Sequence, residues 1–87
     1  MYVIIVYDVE QKRVGKICKY LRRYLNWVQN SVFEGDVTEA KFKEIQLGIK
    51  KIIKKEVDSV LFYKMRDQTS FRREIMGIDK NPTDTFI

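Results

Sequence analysis

The stretch Tyr2-Val3-Ile4-Ile5-Val6-Tyr7-Asp8 decides how the rest of this 87-residue chain is read. Six consecutive β-branched or aromatic residues suit a central strand buried on both faces. The run is far too short for a membrane span, which needs about 20 apolar residues. No basic segment precedes it and no small-residue cleavage site follows, so it does not read as a signal peptide. Asp8 stands at the strand's C-terminal end, where scaffolds commonly present functional groups.

Working outward, residues 11–25 carry Val14, Ile17, Cys18, Leu21 and Leu25 at helical spacing. The opposite face holds Lys12, Arg13, Lys16, Lys19, Arg22 and Arg23, and Asn26 marks the expected helix end. Residues 27–37 read as extended. Within them Asn30-Ser31 is either a bulge in one strand or a tight turn between two short ones. Residues 35–38 form an exit turn, with Asp36 or Thr38 capping a second helix that runs to about residue 55. That helix buries Phe42, Ile45, Ile49, Ile52 and Ile53. Residues 58–65 form another strand, 66–70 a loop, and 71–78 a further strand or an irregular segment.

This order predicts an α+β fold of the ferredoxin-like (βαββαβ) kind, an antiparallel sheet with two helices on one face and an extra C-terminal strand. The other face is left open for a partner. Residues 1–80 form the domain. Residues 81–87 form a tail whose hydrophobes either fray or find a partner's sheet edge. A chain this short has a thin core, so a homodimer is the default expectation.

Composition narrows the chemistry. There is no histidine and one cysteine, Cys18. Histidine-based catalysis, Cys-type zinc sites and intramolecular disulfides are therefore excluded. Seventeen Lys and Arg stand against twelve Asp and Glu, a net charge of +5 that favours polyanions such as RNA or DNA. Nothing directs the chain to a membrane, and a cytoplasmic location is expected.

Asp8 is the main candidate for chemistry. As a hard oxygen ligand it could hold Mg²⁺ or Mn²⁺. Equally, it could cap the first helix, with Gln11 at capping-box spacing. Glu10 is the only other carboxylate nearby in sequence; one carboxylate makes a poor metal site within a monomer, but a two-fold axis could bring two copies of Asp8 together. Lys12 and Arg13 lie in the first helical turn, where the dipole disfavours cations; with Lys16 they are candidate phosphate contacts. Cys18, Tyr2 and Tyr7 read as core. Trp27 and Phe33 are core or stacking platforms for bases. Phe71-Arg72-Arg73 is a nucleic-acid contact or a charge-protected edge.

Two segments together carry a family resemblance. Val6-Tyr7-Asp8-Val9 with Lys12-Arg13, and Trp27-Val28-Gln29-Asn30-Ser31-Val32-Phe33-Glu34-Gly35-Asp36-Val37, resemble the second of the two widespread CRISPR adaptation proteins, "CRISPR-associated protein two". The resemblance extends from Met1 to about Ile78. It implies a homodimer with the two Asp8 residues facing each other and Mg²⁺ bound between them. It implies a metal-dependent endonuclease acting on RNA or DNA in spacer acquisition and antiviral defence. The implied partner is the CRISPR integrase, "CRISPR-associated protein one". By position Asp8 matches the metal-binding aspartate, Arg13 a basic residue at the helix start, and Ser31 and Phe33 the lining near that aspartate. The C-terminal strand, with Phe86 and Ile87, would pair with the partner subunit. This chain departs from some relatives in the short link from Asp8 to Arg13 and in having no basic residue at Trp27 or Asn30. The alternative is a non-catalytic dimeric scaffold bridging the integrase and duplex DNA. A toxin-like ribonuclease of similar fold is a third reading.

Overall fold

The computed structural model describes residues 1–81. The tail strand expected around Phe86 and Ile87 lies outside the described residues. Elements follow in the order β1 (Tyr2–Asp8), α1 (Gln11–Leu21), β2 (Asn26–Gln29), β3 (Val32–Asp36), α2 (Glu39–Ile52) and β4 (Ser59–Met65), with a short 3₁₀ turn at Gln68–Ser70. The strands form one sheet in the order β2-β3-β1-β4, with every neighbouring pair antiparallel. This is the ferredoxin-like arrangement expected from the sequence.

β1 is central because both its edges are taken: Ile5 lies opposite Phe33 on β3 and Phe62 on β4. Strand side chains alternate between faces. Val3, Ile5 and Tyr7 share one buried cluster with Phe33, with Ile17 and Leu21 of α1, and with Phe42, Ile45 and Ile49 of α2. Both helices therefore cover the same face. The opposite face carries Ile4, Val6 and Asp8 of β1 beside Leu61 and Tyr63 of β4. The last two are 52% and 53% exposed.

At Asn30-Ser31 the structure contains the turn and not the bulge, and a bulge occurs instead at Val28, within β2. Asn30 adopts φ 44°, a left-handed conformation that asparagine tolerates, and the chain turns there between β2 and β3. The register then slips between Trp27 and Gln29, leaving Val28 as a bulge. The slip sets Trp27 opposite Phe33.

Several boundaries differ from expectation. α1 stops at Leu21 rather than residue 25; a turn continues inward, with the Leu25 amide donating to the Leu21 carbonyl at 2.9 Å. Leu25 stays buried, and its side chain reaches within 2.9 Å of where a Cβ on Gly35 would stand. Asn26 opens β2 instead of merely ending the helix. Thr38, not Asp36, caps α2, its hydroxyl accepting from the Lys41 amide at 3.1 Å. Asp36 instead accepts the Met1 amine at 3.0 Å. α2 ends at Ile52. Residues 71–81 are irregular, so the extra C-terminal strand is absent among the described residues. Phe71 packs on Tyr2 with ring centroids 5.6 Å apart, and Arg73 donates to the buried Glu34. That ion pair accounts for Arg73, read above as a nucleic-acid or edge charge.

Candidate functional site

Asp8 is the last residue of β1, and the two-residue alternation carries its side chain to the face away from the helices. Ser59, the first residue of β4, is its cross-strand partner. β3 falls short of this end, its last pairing being Val32 with Val6. The 30–31 turn fills the gap, and the Tyr7 amide donates to the Ser31 carbonyl at 3.1 Å. Asp8, Ser59 and Ser31 thus cluster at one end of the sheet. The Asp8 carboxylate is exposed and takes no hydrogen bond or ion pair from any described residue.

The capping role considered for Asp8 is not what the structure contains. Glu10 occupies the N-cap of α1, and no side chain caps it. The helix start is held from across the fold instead. Asp58, the residue before β4, is buried on the helical side. Its Oδ1 accepts the Glu10 amide at 3.0 Å and Arg13 Nη2 at 2.9 Å. Its Oδ2 accepts Arg13 Nε at 2.6 Å and the Lys54 amide at 2.8 Å. All four are charge-assisted, and the arginine fork is bidentate. The guanidinium of Arg13 holds the Asp58 carboxyl well below the usual carboxylate range, with the Lys54 and Glu10 amides adding to it and burial opposing. Arg13 is raised above its ordinary value, chiefly by its hydrogen bond to Asp58.

Arg13 is therefore turned inward and not onto the basic outer face, where the helical pattern had put it. It also donates to Glu10 Oε1 at 2.8 Å. Its donors are directed at carboxylates of its own chain, which corrects its placement among the phosphate contacts. Lys12 and Lys16 are exposed as expected, one turn apart on α1, and Lys12 Nζ lies 4.0 Å from Glu10 Oε1. Phe33 is fully buried on the helical side, its ring 6.3 Å from that of Tyr7. It supports the strand beneath the site and offers no face to a base. Trp27 is partly buried against the core, with its indole N–H on the Asn30 carbonyl at 3.0 Å. Tyr7 is buried, and burial together with Cys18 raises its phenol.

Among the described residues no group of three acidic or cysteine side chains could hold a metal ion. Glu10, the one carboxylate near Asp8 in sequence, is engaged by Arg13 and Lys12. A hard divalent cation often binds through only one or two carboxylates plus water and substrate phosphates. Asp8 fits that pattern, with oxygen ligands free and facing an open surface. Asp58 and Ser59 were missed in the sequence. The Arg13–Asp58 pair spans 45 residues, and no local spacing betrays it.

No helix among the described residues is long and apolar enough to cross a membrane. Residues 1–73 match the family model described as CRISPR associated protein Cas2. The chain is 54% identical over 87 residues to the CRISPR-associated endoribonuclease Cas2 of Pyrococcus furiosus, covering all of both chains. It is 55% identical over 87 residues to the protein of the same name from Methanocaldococcus jannaschii, covering 100% of this chain and 76% of that one. A solved structure described as a crystal structure of cas2 superposes with a TM-score of 0.88 at 44% identity, covering 100% of this chain and 98% of that one. Streptococcus pyogenes Cas2 gives 0.80 at 36% identity, covering 88% of this chain and 100% of that one.

Proposed function

The chain belongs to the CRISPR associated protein Cas2 family, and from that premise we propose that it is a metal-dependent endonuclease acting on RNA or DNA in spacer acquisition and antiviral defence. The observation that carries the reading is Asp8: a carboxylate at a strand end, exposed, and without a partner among the described residues. Unpaired carboxylates of this kind are what a hard cation requires, with water and substrate phosphate oxygens filling its other positions. The relatives named endoribonucleases support RNA as one substrate class.

The working unit is a homodimer. Ile4, Val6, Leu61 and Tyr63 give Asp8's face an apolar character, and contiguous exposed apolar surface marks association sites. Two copies meeting through this face set one Asp8 opposite the other, supplying the second carboxylate that a single chain lacks. Mg²⁺, when bound there, supplies a Lewis acid and an activated water for phosphodiester hydrolysis. Asp8 holds it through carboxylate oxygens. Lys12 and Lys16 attract and orient the phosphate backbone from the start of α1. Arg13 and Phe33 hold the strand and helix that carry these groups. Ser59, opposite Asp8 on the same face, borders the carboxylate with a hydroxyl able to hydrogen-bond water or phosphate, whereas the Ser31 side chain lies on the Tyr7 side of the sheet.

A second reading is favoured by the charge distribution. Lys12, Lys16, Lys19, Lys43, Lys50 and Lys51 are all exposed on the two helices, a surface suited to duplex DNA. A non-catalytic dimeric scaffold bridging that DNA and the CRISPR integrase would use this surface and leave Asp8 idle. Cleavage of labelled single-stranded RNA and duplex DNA, with Mg²⁺ and with EDTA, separates the two. For the nuclease, cleavage requires the cation, and Asp8→Asn abolishes it while the dimer persists in sedimentation. Cleavage indifferent to Asp8→Asn refutes the mechanism; DNA and integrase binding without any cleavage establishes the scaffold.

A further inference from the structure

The link between β1 and α1 is only Val9 and Glu10. Such a link, carrying the candidate metal ligand at its start, needs something to hold it. The local sequence is poor at this. Glu10 at the N-cap makes no side-chain capping bond, and the first turn of α1 contains no acidic residue. It carries Lys12 and Arg13, whose charges oppose the helix dipole. What the helix start lacks locally is delivered by Asp58 from 48 residues away, through its bond to the Glu10 amide. A carboxylate there is favourable to the dipole and satisfies one orphan donor.

Asp58 does more than cap. Its second oxygen takes the Lys54 amide, which ties down the turn between α2 and β4. Arg13 bridges both oxygens from α1. The next residue, Ser59, is the strand partner of Asp8. Asp58 and Asp8 thus sit at the same end of neighbouring strands, one directed into the helical layer and the other out onto the open face. No buried side-chain oxygen or nitrogen in the described residues is left unsatisfied. The lock is complete, and its buried members Arg13 and Asp58 lie on the helical side, away from the face that carries Asp8.

We infer that Asp58 is a positioning residue for Asp8, acting through the Glu10 amide and the Arg13 fork to fix where the strand-end carboxylate stands. The inference rests on the nuclease reading for its kinetic consequence, but not for its structural one. Misplacing a reacting group by about 1 Å costs roughly 10²-fold in rate. Releasing the lock therefore lowers kcat far more than it raises KM for the polynucleotide, because Lys16 and the other helix lysines beyond the first turn keep their places.

The variants are Asp58→Asn, which turns an acceptor into a donor facing other donors, and Arg13→Lys, which keeps the charge and removes the fork. Ile49→Val, a mild core change away from the link, controls for lost stability alone. Backbone order parameters for Asp8, Val9 and Glu10 are read by NMR beside steady-state RNA cleavage with Mg²⁺. In the native protein these three amides are as ordered as the strand, about 0.85. In Asp58→Asn they fall towards about 0.6 while central β1 and β4 stay rigid, and kcat drops by roughly 10²-fold with KM within about twofold. Arg13→Lys shows the same split, smaller in size, and Ile49→Val shows neither effect. Unchanged order at Asp8 in both variants overturns the inference, as does a rise in KM with kcat intact. An equal kcat loss in Ile49→Val reduces Asp58 to a fold-stabilising role and overturns it too. If the native protein cleaves nothing, the nuclease reading fails on its own, and the order parameters still decide whether Asp58 positions Asp8.

Discussion

Phe33 allows the core and the site to be separated by experiment. It is fully buried, faces Ile5 across the β1–β3 ladder, and stacks with Tyr7 directly below the end of the strand that carries Asp8. Truncation to alanine removes the ring from a close-packed position, which costs about 3–5 kcal/mol. Losing the aromatic contact with Tyr7 adds roughly 0.5–1.5 kcal/mol. A chain of this length has a total stability of only about 4–13 kcal/mol. Phe33→Ala is therefore expected to melt at least about 12 °C lower, or not to fold at all, at about 4–8 °C per kcal/mol. Phe33→Leu keeps most of the volume and costs under about 1.5 kcal/mol, a shift of at most about 6–12 °C. Circular dichroism melting gives the stabilities. RNA binding and cleavage are then measured well below both melting temperatures. Phe33→Leu should retain kcat/KM within about threefold, because the ring never reaches substrate. A tenfold loss of affinity in Phe33→Leu with an unchanged melting temperature would refute this: it would mean the ring contacts a base.

Two pH predictions follow from the charged contacts. Asp58 titrates lower in the folded chain than in the unfolded one, so its contribution to stability is intact above the unfolded value near 3.8 and is lost as pH falls below it. Urea midpoints should drop steeply below about pH 4, with the folding constant falling by up to about tenfold per pH unit; Asp58→Asn should flatten that limb, and an unchanged slope would discount the Arg13 pair. At the other extreme, burial and Tyr24 push the Tyr20 phenol up to about 12. The folded chain holds that proton more tightly than the unfolded one. Stability is therefore present below about pH 10 and lost as pH rises towards 12, and ultraviolet titration should show late tyrosines, Tyr7 among them, of which Tyr20→Phe removes one.

Much of the architecture was legible because its signals are local. The apolar run at residues 2–7 specifies a central strand, and the three-and-four spacing at Val14, Ile17, Cys18 and Leu21 specifies the helix after it. Asp8 was legible for a topological reason: a polar residue ending a buried strand has nowhere to go but the rim. What failed did so where long-range contacts override local pattern. Helical periodicity placed Arg13 on the solvent face, since its position depends on Asp58, 45 residues on. Spacing favoured Asp36 as readily as Thr38 for the cap; the competition was settled by the Met1 amine claiming Asp36. Asn30-Ser31 carried turn chemistry, but the bulge at Val28 follows from which residue must face Phe33, and that is a property of the assembled sheet.

The strand order also sets a timetable. β1 is the first strand in the described chain, yet it pairs on one side with β3 and on the other with β4, the last strand of the described chain. Its pairing with β3 can form once the first half of the chain is available. Its pairing with β4 closes a loop spanning both helices, and such distant pairings are what slow the folding of mixed α/β domains. Asp8 meets Ser59, and Glu10 meets Asp58, only in that final closure. A nascent chain holding residues 1–50 already contains the candidate metal ligand and most of the basic surface, but not the lock or the strand partner. On the nuclease reading, Asp8 gains its strand partner and its lock only after residues 58–59 have joined the sheet, so the site forms late in folding.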